Sequence, residues 1–163
     1  MKLEPLFSVS NNQLYFISDN SLAEIQKFDL ISAPWTTIEL QDECYNEEWL
    51  ANLRDSLKNY ELLNKFAIIC PIVDKPLDSQ ECVELFINAC NHTARRIKDC
   101  TSVAGFQLPI ELLKSGLNES SSVQDFINVL SKKHGQYVYF AKYSDLEALS
   151  LLEEIKYTSI VII

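Results

Sequence analysis

The sequence predicts an α/β fold with a mostly parallel sheet of about six strands. Three observations predict it. Six short apolar runs alternate with five capped, amphipathic stretches. The stretches between the runs carry apolar residues at helical spacing, whereas the runs are short and rich in β-branched and aromatic residues. One run, Phe66–Val73, is apolar on both faces, as suits a central parallel strand covered by helices on either side.

The elements follow in order. Gln13–Ile17 reads as a first strand, and Leu6–Val9 pairs with it across the Asn11-Asn12 turn. Ser21 and Glu24 have capping-box spacing, predicting a short helix with Leu22, Ile25 and Phe28 on its apolar face. Thr36–Leu40, preceded by Pro34, is the second strand. Asn46 caps the next helix, with Glu47 and Glu48 where the helix dipole favours anions. Its apolar face is Trp49, Leu50, Leu53, Leu57 and Tyr60. Phe66–Val73 follows as a strand, with regular pairing expected to end near Pro71, which has no amide proton.

Asp78 and Glu81 open the longest helix with a second capping box. Val83, Phe86, Ile87, Cys90, Ala94 and Ile97 form one stripe, and Arg95, Arg96 and Lys98 complement the C-terminal dipole. Ser102–Leu108 is the fourth strand. The polar connection from Lys114 to Ser122 reads as flexible and lid-like. Val123, Phe126, Ile127 and Leu130 form a helix face ended by Lys132, Lys133, His134 and Gly135. Gln136–Ala141 is the fifth strand. Ser144 and Glu147 cap a final helix bearing Leu146, Leu149, Leu152 and Ile155, before a sixth strand at Thr158–Ile163.

Strand–helix repetition gives right-handed crossovers. Two architectures fit: an open doubly wound sheet with helices on both faces, and a reduced βα-barrel-like sheet. A full eight-stranded barrel needs about 250 residues, more than the 163 of this chain. No repeat or low-complexity tract appears, so residues 1–163 are read as a single α/β domain. Both architectures place ligands at the C-terminal ends of the strands.

The net charge of −9 repels phosphate-rich partners, so neither nucleic acid nor an anionic membrane is expected. A basic protein partner, or a homo-oligomer, is compatible with it. Met1-Lys2-Leu3-Glu4-Pro5 lacks an apolar signal region, and no apolar run approaches membrane-spanning length. The five cysteines form an odd set without framework spacing. A reduced, cytoplasmic protein is the expectation.

Cofactor and metal chemistry find little support. Gly105, Gly116 and Gly135 belong to no phosphate-binding loop. Cys90 and His92, two residues apart on a helix, point in nearly opposite directions, so they suit no shared ion. His134 reads as a helix C-terminal residue. No cofactor and no metal are expected.

Candidate site residues are those at strand ends. The second strand offers Glu39, Gln41, Asp42 and Glu43; the third, Asp74; the fourth, Gln107 and Glu111; the fifth, Lys142 and Tyr143. Converging acids would raise one another's pKa and divide into acid and base. The competing reading makes Asp42 and Glu43 solvated residues before a helix and Asp74 a turn residue.

One stretch, Ala94-Arg95-Arg96-Ile97-Lys98-Asp99 leading into Ser102-Val103-Ala104-Gly105-Phe106-Gln107-Leu108-Pro109-Ile110-Glu111, resembles a family. It is similar to the third helix and fourth strand of retaining βα-barrel glycoside hydrolases. The resemblance implies a general acid/base role for Glu111. Ile110 stands where the family has an Asn that contacts the sugar, and the family's late-strand Glu nucleophile has no counterpart.

The function expected from these residues is a non-catalytic binding or protein-interaction module. The alternatives are a carboxylate-based glycan hydrolase using Glu111 with Glu39 or Asp74, and a fragment of a larger barrel.

Overall fold

A computed structural model describes residues 2–163. The chain opens with a hairpin of β1 (Phe7–Ser10) and β2 (Gln13–Phe16). Asn11 and Asn12 have φ of +50° and +59°, the paired left-handed conformation that a two-residue hairpin turn requires and that Asn tolerates. Five parallel strands then form the main sheet: β3 (Asp29–Pro34), β6 (Ala67–Ile72), β7 (Val103–Gln107), β8 (Val138–Ala141) and β9 (Ile160–Ile162). They lie side by side in the order in which the chain meets them.

Sequential order with crossovers of one hand puts every helix on the same side. The buried side chains divide accordingly. Ala67, Ile69, Phe106 and Tyr139 face the helices. These include α2 (Glu47–Leu62), α3 (Gln80–Arg96) and α5 (Ser122–Ser131), whose buried stripes contain Leu57, Phe86 and Phe126. Ile68, Ala104, Val138, Phe140 and Val161 face the other way and pack on Phe7, Leu14 and Ala23. The sheet is therefore an open segment of a βα barrel, and the doubly wound alternative is excluded. β6 is covered on its second face by the hairpin instead of a helix. Its apolar pattern is the same in either case.

Other expectations need correction. Ser21 starts no helix, because Phe16 N and Ala23 N donate to Ser21 O and Leu14 O, both at 2.9 Å. The segment extends the hairpin, leaving one helical turn at Ile25–Lys27. The second strand lies at Asp29–Pro34. Trp35–Ile38 is a helical turn, α1, and Glu39–Gln41 (β4) pairs antiparallel with Cys44–Tyr45 (β5) outside the main sheet. Pro71 ends pairing on one side only: β7 is paired as far as Ile69, while β3 is paired through Pro71 and Ile72.

The cap of α3 is Ser79, whose hydroxyl accepts from Cys82 N, and not Asp78. The last helix, α6 (Tyr143–Ala148), has no side-chain cap and is short. Ser150 adopts φ +58°, and Leu151 N and Ser150 N donate back to Leu146 O and Glu147 O. That Schellman geometry stops the helix before Leu152. The expected lid is tied down: Ser122 N donates to Ser115 Oγ, and Ser121 caps α5. Just before it, Ile110–Leu113 forms the short α4.

Gly105 lets β7 approach β8. A Cβ there would lie 1.7 Å from the Val138 carbonyl oxygen, so no side chain fits without parting the strands. Gly105→Ala is expected to lower unfolding free energy by about 3 kcal/mol or more. Urea denaturation measures this, and an unchanged midpoint would contradict the pairing.

Candidate functional site

Alternation along β6, and a register shift opposite Ala67 and Ile68 that resets it in β7, decide what the inner face carries. Cys70 near the end of β6 and Gln107 at the end of β7 both point inward, and the Cys70 thiol donates to Gln107 Oε1 at 3.4 Å. Both are buried. Burial pushes the Cys70 thiol up to about 11, and the nearby Lys142 ammonium only partly offsets this. At neutral pH it is a thiol, not a nucleophile.

Beside this pair lies a groove of about 660 Å³. One wall is Leu14, Leu22, Ile25, Phe28 and Leu30, from the hairpin, its extension and β3. Ile162, Ile163, Lys142 and Ser144 form the other. It opens where β3 and β9, the two outer strands, leave the sheet unclosed. No Asp or Glu side chain among the described residues lines it. Leu22 and Leu30 are 54% and 55% exposed, so the groove presents apolar surface to solvent.

The acids sit elsewhere. Glu39 is buried on the helix side. It accepts from Trp35 Nε1 at 2.8 Å, from Glu43 N at 3.0 Å and from Lys75 Nζ at 3.4 Å. Lys75 also lies 4.2 Å from the centre of the Trp35 ring, which packs edge-on against Phe86. Asp74 is exposed and accepts from Thr36 N at 3.0 Å and from the Thr36 hydroxyl, pinning the end of β6 to α1. Glu111 is exposed in the first turn of α4. Among the described residues, no hydrogen bond or ion pair joins it to Glu39 or Asp74.

The remaining predicted residues also divide. Gln41 and Asp42 are exposed at the β4–β5 turn, where Glu43 takes φ +60°. Tyr143 is half exposed at the start of α6. Gln107 and Lys142 are brought together around Cys70. In the sequence, Cys70 stood only as part of the Phe66–Val73 run, and Leu22, Ile25 and Phe28 only as the face of an expected short helix, so the wall from Leu22 to Leu30 was missed.

No group of three His, Cys, Asp or Glu side chains among the described residues is placed to hold a metal ion. His92 faces Glu47 while Cys90 is fully buried. No helix among the described residues is long and apolar enough to cross a membrane.

The geometry gives Glu39 a structural task. Glu39→Ala orphans the Trp35 indole N–H and the Glu43 amide and leaves Lys75 without its carboxylate. A loss of about 3 kcal/mol is expected in thermal or chemical unfolding. A loss below about 0.5 kcal/mol, the range of an ordinary surface substitution, would contradict that assignment.

No protein-family model matches the chain, and no curated protein matches it in sequence. Solved structures match in fold. Endo-glycoceramidase II from Rhodococcus sp. superposes with a TM-score of 0.52 at 10% identity, over 70% of this chain and 40% of that one. A GH5_18 protein from Bifidobacterium longum subsp. infantis gives 0.51 at 8% identity, over 69% of this chain and 33% of that one. A related GH5_18 structure from Bifidobacterium longum subsp. longum, in complex with Manb1-4GlcNAc, gives 0.52 at 9% identity, over 71% and 34%. The chain thus spans well under half the length of these structures. At such identities the likeness is one of fold: five consecutive strands arranged as a segment of a glycoside hydrolase βα barrel.

Proposed function

We propose that this chain is a non-catalytic binding module built on an open glycosidase-type βα sheet, and that the groove between β3 and β9 is its binding surface. The observation that carries the reading is the groove's chemistry. Leucine, isoleucine and phenylalanine side chains make up most of one wall, Lys142 and Ser144 share the other with Ile162 and Ile163, and no carboxylate side chain lines it. Glycoside cleavage needs two carboxyls across one cleft, about 5–9.5 Å apart according to mechanism. Glu39 and Asp74 are each committed to their own structural partners. An apolar segment of a protein partner suits such walls, with alternate side chains burying against Phe28, Leu30 and Ile162.

Fold likeness to glycoside hydrolases favours a second reading, in which Glu111 serves as acid/base with Glu39 or Asp74. The greater length of those structures and the unclosed sheet also favour a larger barrel, with further βα units filling the groove.

Two measurements test the proposal. In a broad aryl-glycoside screen, the protein is expected to release no chromophore above buffer. Hydrolysis that disappears in Glu111→Gln would establish the second reading instead. The fluorescent apolar anion anilinonaphthalene sulfonate is expected to bind at one site per chain and to be lost in Leu30→Asp, a substitution at a half-exposed position. Probe binding unaffected by Leu30→Asp would remove the groove from the account.

A further inference from the structure

The two outer strands of the main sheet are finished differently. On β9, Asn12 and Thr158 occupy the edge. Ile162 N donates to Asn12 O at 3.1 Å, Ile160 O accepts from Asn12 Nδ2 at 2.8 Å, and Ile160 N donates to Thr158 Oγ1 at 3.3 Å. On β3 the edge is bare. Asp29 N donates to Phe66 O at 3.0 Å. The N–H and C=O groups of Asp29, Ile31 and Ala33 therefore turn toward β6, and those of Leu30 and Ser32 turn away from it. Leu30 and Ser32 are exposed, and among the described residues no hydrogen bond reaches their outward groups.

The bare stretch has sharp limits. Before it, Phe28 N already donates to Ile25 O at 2.8 Å. After it, Pro34 has no N–H to offer. Native sheets cover, charge or interrupt such edges, yet Leu30–Ser32 carries no charge, no proline and no bulge. In the register Leu30 and Ser32 lie beside Ile68 and Cys70, so their side chains share the inner face, and Leu30 lines the groove. A strand laid along β3 thus projects every second side chain into the groove.

Space and charge select the occupant. A βα barrel closes at eight strands, so the five strands here leave about three places between β3 and β9. A second copy would bring five more strands with their helices, which exceeds that space; a single extended segment fits it. Acids stand at both ends of β3: Asp29 opens it, and Asp74 is tied to Thr36 just beyond Pro34. In a chain of net charge −9, they favour a segment with cationic ends. Lys142 on the far wall of the groove disfavours cations pointing inward.

We propose that β3 receives an extended segment of a partner protein by strand addition, held by the free N–H and C=O groups of Leu30 and Ser32. The segment is apolar at alternate residues and basic at its ends. This rests on the groove as the binding surface and adds how the partner is held. Main-chain pairing supplies affinity, and the groove reads alternate side chains.

Fluorescence anisotropy on the full chain tests this with an end-blocked, fluorescein-labelled peptide, Lys-Val-Thr-Val-Thr-Val-Lys. Two further probes carry N-methyl groups, one on its valines and the other on its threonines. The parent peptide is expected to bind saturably. One methylated peptide should bind about tenfold more weakly or worse, because only one alternating set of amides faces β3. Antiparallel pairing predicts the valine set, and parallel pairing the threonine set. Glutamate in place of both lysines should also weaken binding about tenfold. Ser32→Pro removes an N–H on the solvent side of an edge strand, where proline is tolerated. It should abolish peptide binding and leave anilinonaphthalene sulfonate bound in the groove. Peptide binding indifferent to both methylated sets, or to Ser32→Pro, would overturn strand addition while leaving the groove reading intact. Absence of saturable binding by the parent peptide at millimolar concentration would overturn the proposal, and equal affinity for the glutamate peptide would overturn the charge assignment.

Discussion

The structure depends on covering the inner face of an unclosed sheet. Five parallel strands in sequential order place all helices on one side, so Ile68, Ala104, Val138, Phe140 and Val161 would otherwise face water. The N-terminal hairpin covers them. Phe7, Phe16, Phe28 and Phe66 form a ring cluster with centroids 5.0–5.9 Å apart, in the tilted and edge-on arrangements that aromatic pairs prefer. Asn12 fastens the hairpin tip to the far side of the sheet. Its Nδ2 donates to Ile155 O and Ile160 O, both at 2.8 Å, and its carbonyl accepts from Ile162 N at 3.1 Å. These bonds also satisfy part of the open edge of β9, which otherwise invites pairing with another chain.

The same cover shapes the chemistry. The hairpin and its extension fill much of the space that a closed barrel would leave inside, and what stays open is the groove beside β3. Cys70 and Gln107 meet at the strand ends on the inner face. The acids of the upper loops do structural work. Glu39 neutralises Lys75 and receives the Trp35 indole, and Asp74 ties the end of β6 to α1. Glu39 and Asp74 thus both hold parts of the fold together.

Much of this was legible in the sequence, for physical reasons. The α2 and α3 helices were readable because caps and apolar stripes agreed. The β6, β7 and β8 strands were readable because short β-rich runs lay between helices. The position of β3 was not. Leu22, Ile25 and Phe28 imitate a helical face, but the backbone at Ser21–Ala23 pairs with β2, only Ile25–Lys27 makes a helical turn, and Phe28 packs on Phe7 of the hairpin. That contact is tertiary and leaves no local trace. The burial of Glu39 escaped notice because Trp35–Ile38 was read as strand, although Trp35 and Glu43 lie four residues to either side, and because Lys75 reaches it only in the folded chain. The two-sided apolar pattern of β6 could not say whether helix or hairpin covers its second face. Of the candidate site residues, Gln107 and Lys142 do lie at strand ends, because strand limits are a local property.

Amide hydrogen exchange tests the central claim most directly, because it reports the opening free energy of each strand separately. If the hairpin is the cover on which the sheet depends, the paired amides of β1 and β2 will be protected to the same free energy as those of β6, β7 and β8, and all will open together. A hairpin that exchanges at a much lower free energy while the sheet stays protected would show that the inner face is stable without it, and would contradict the account.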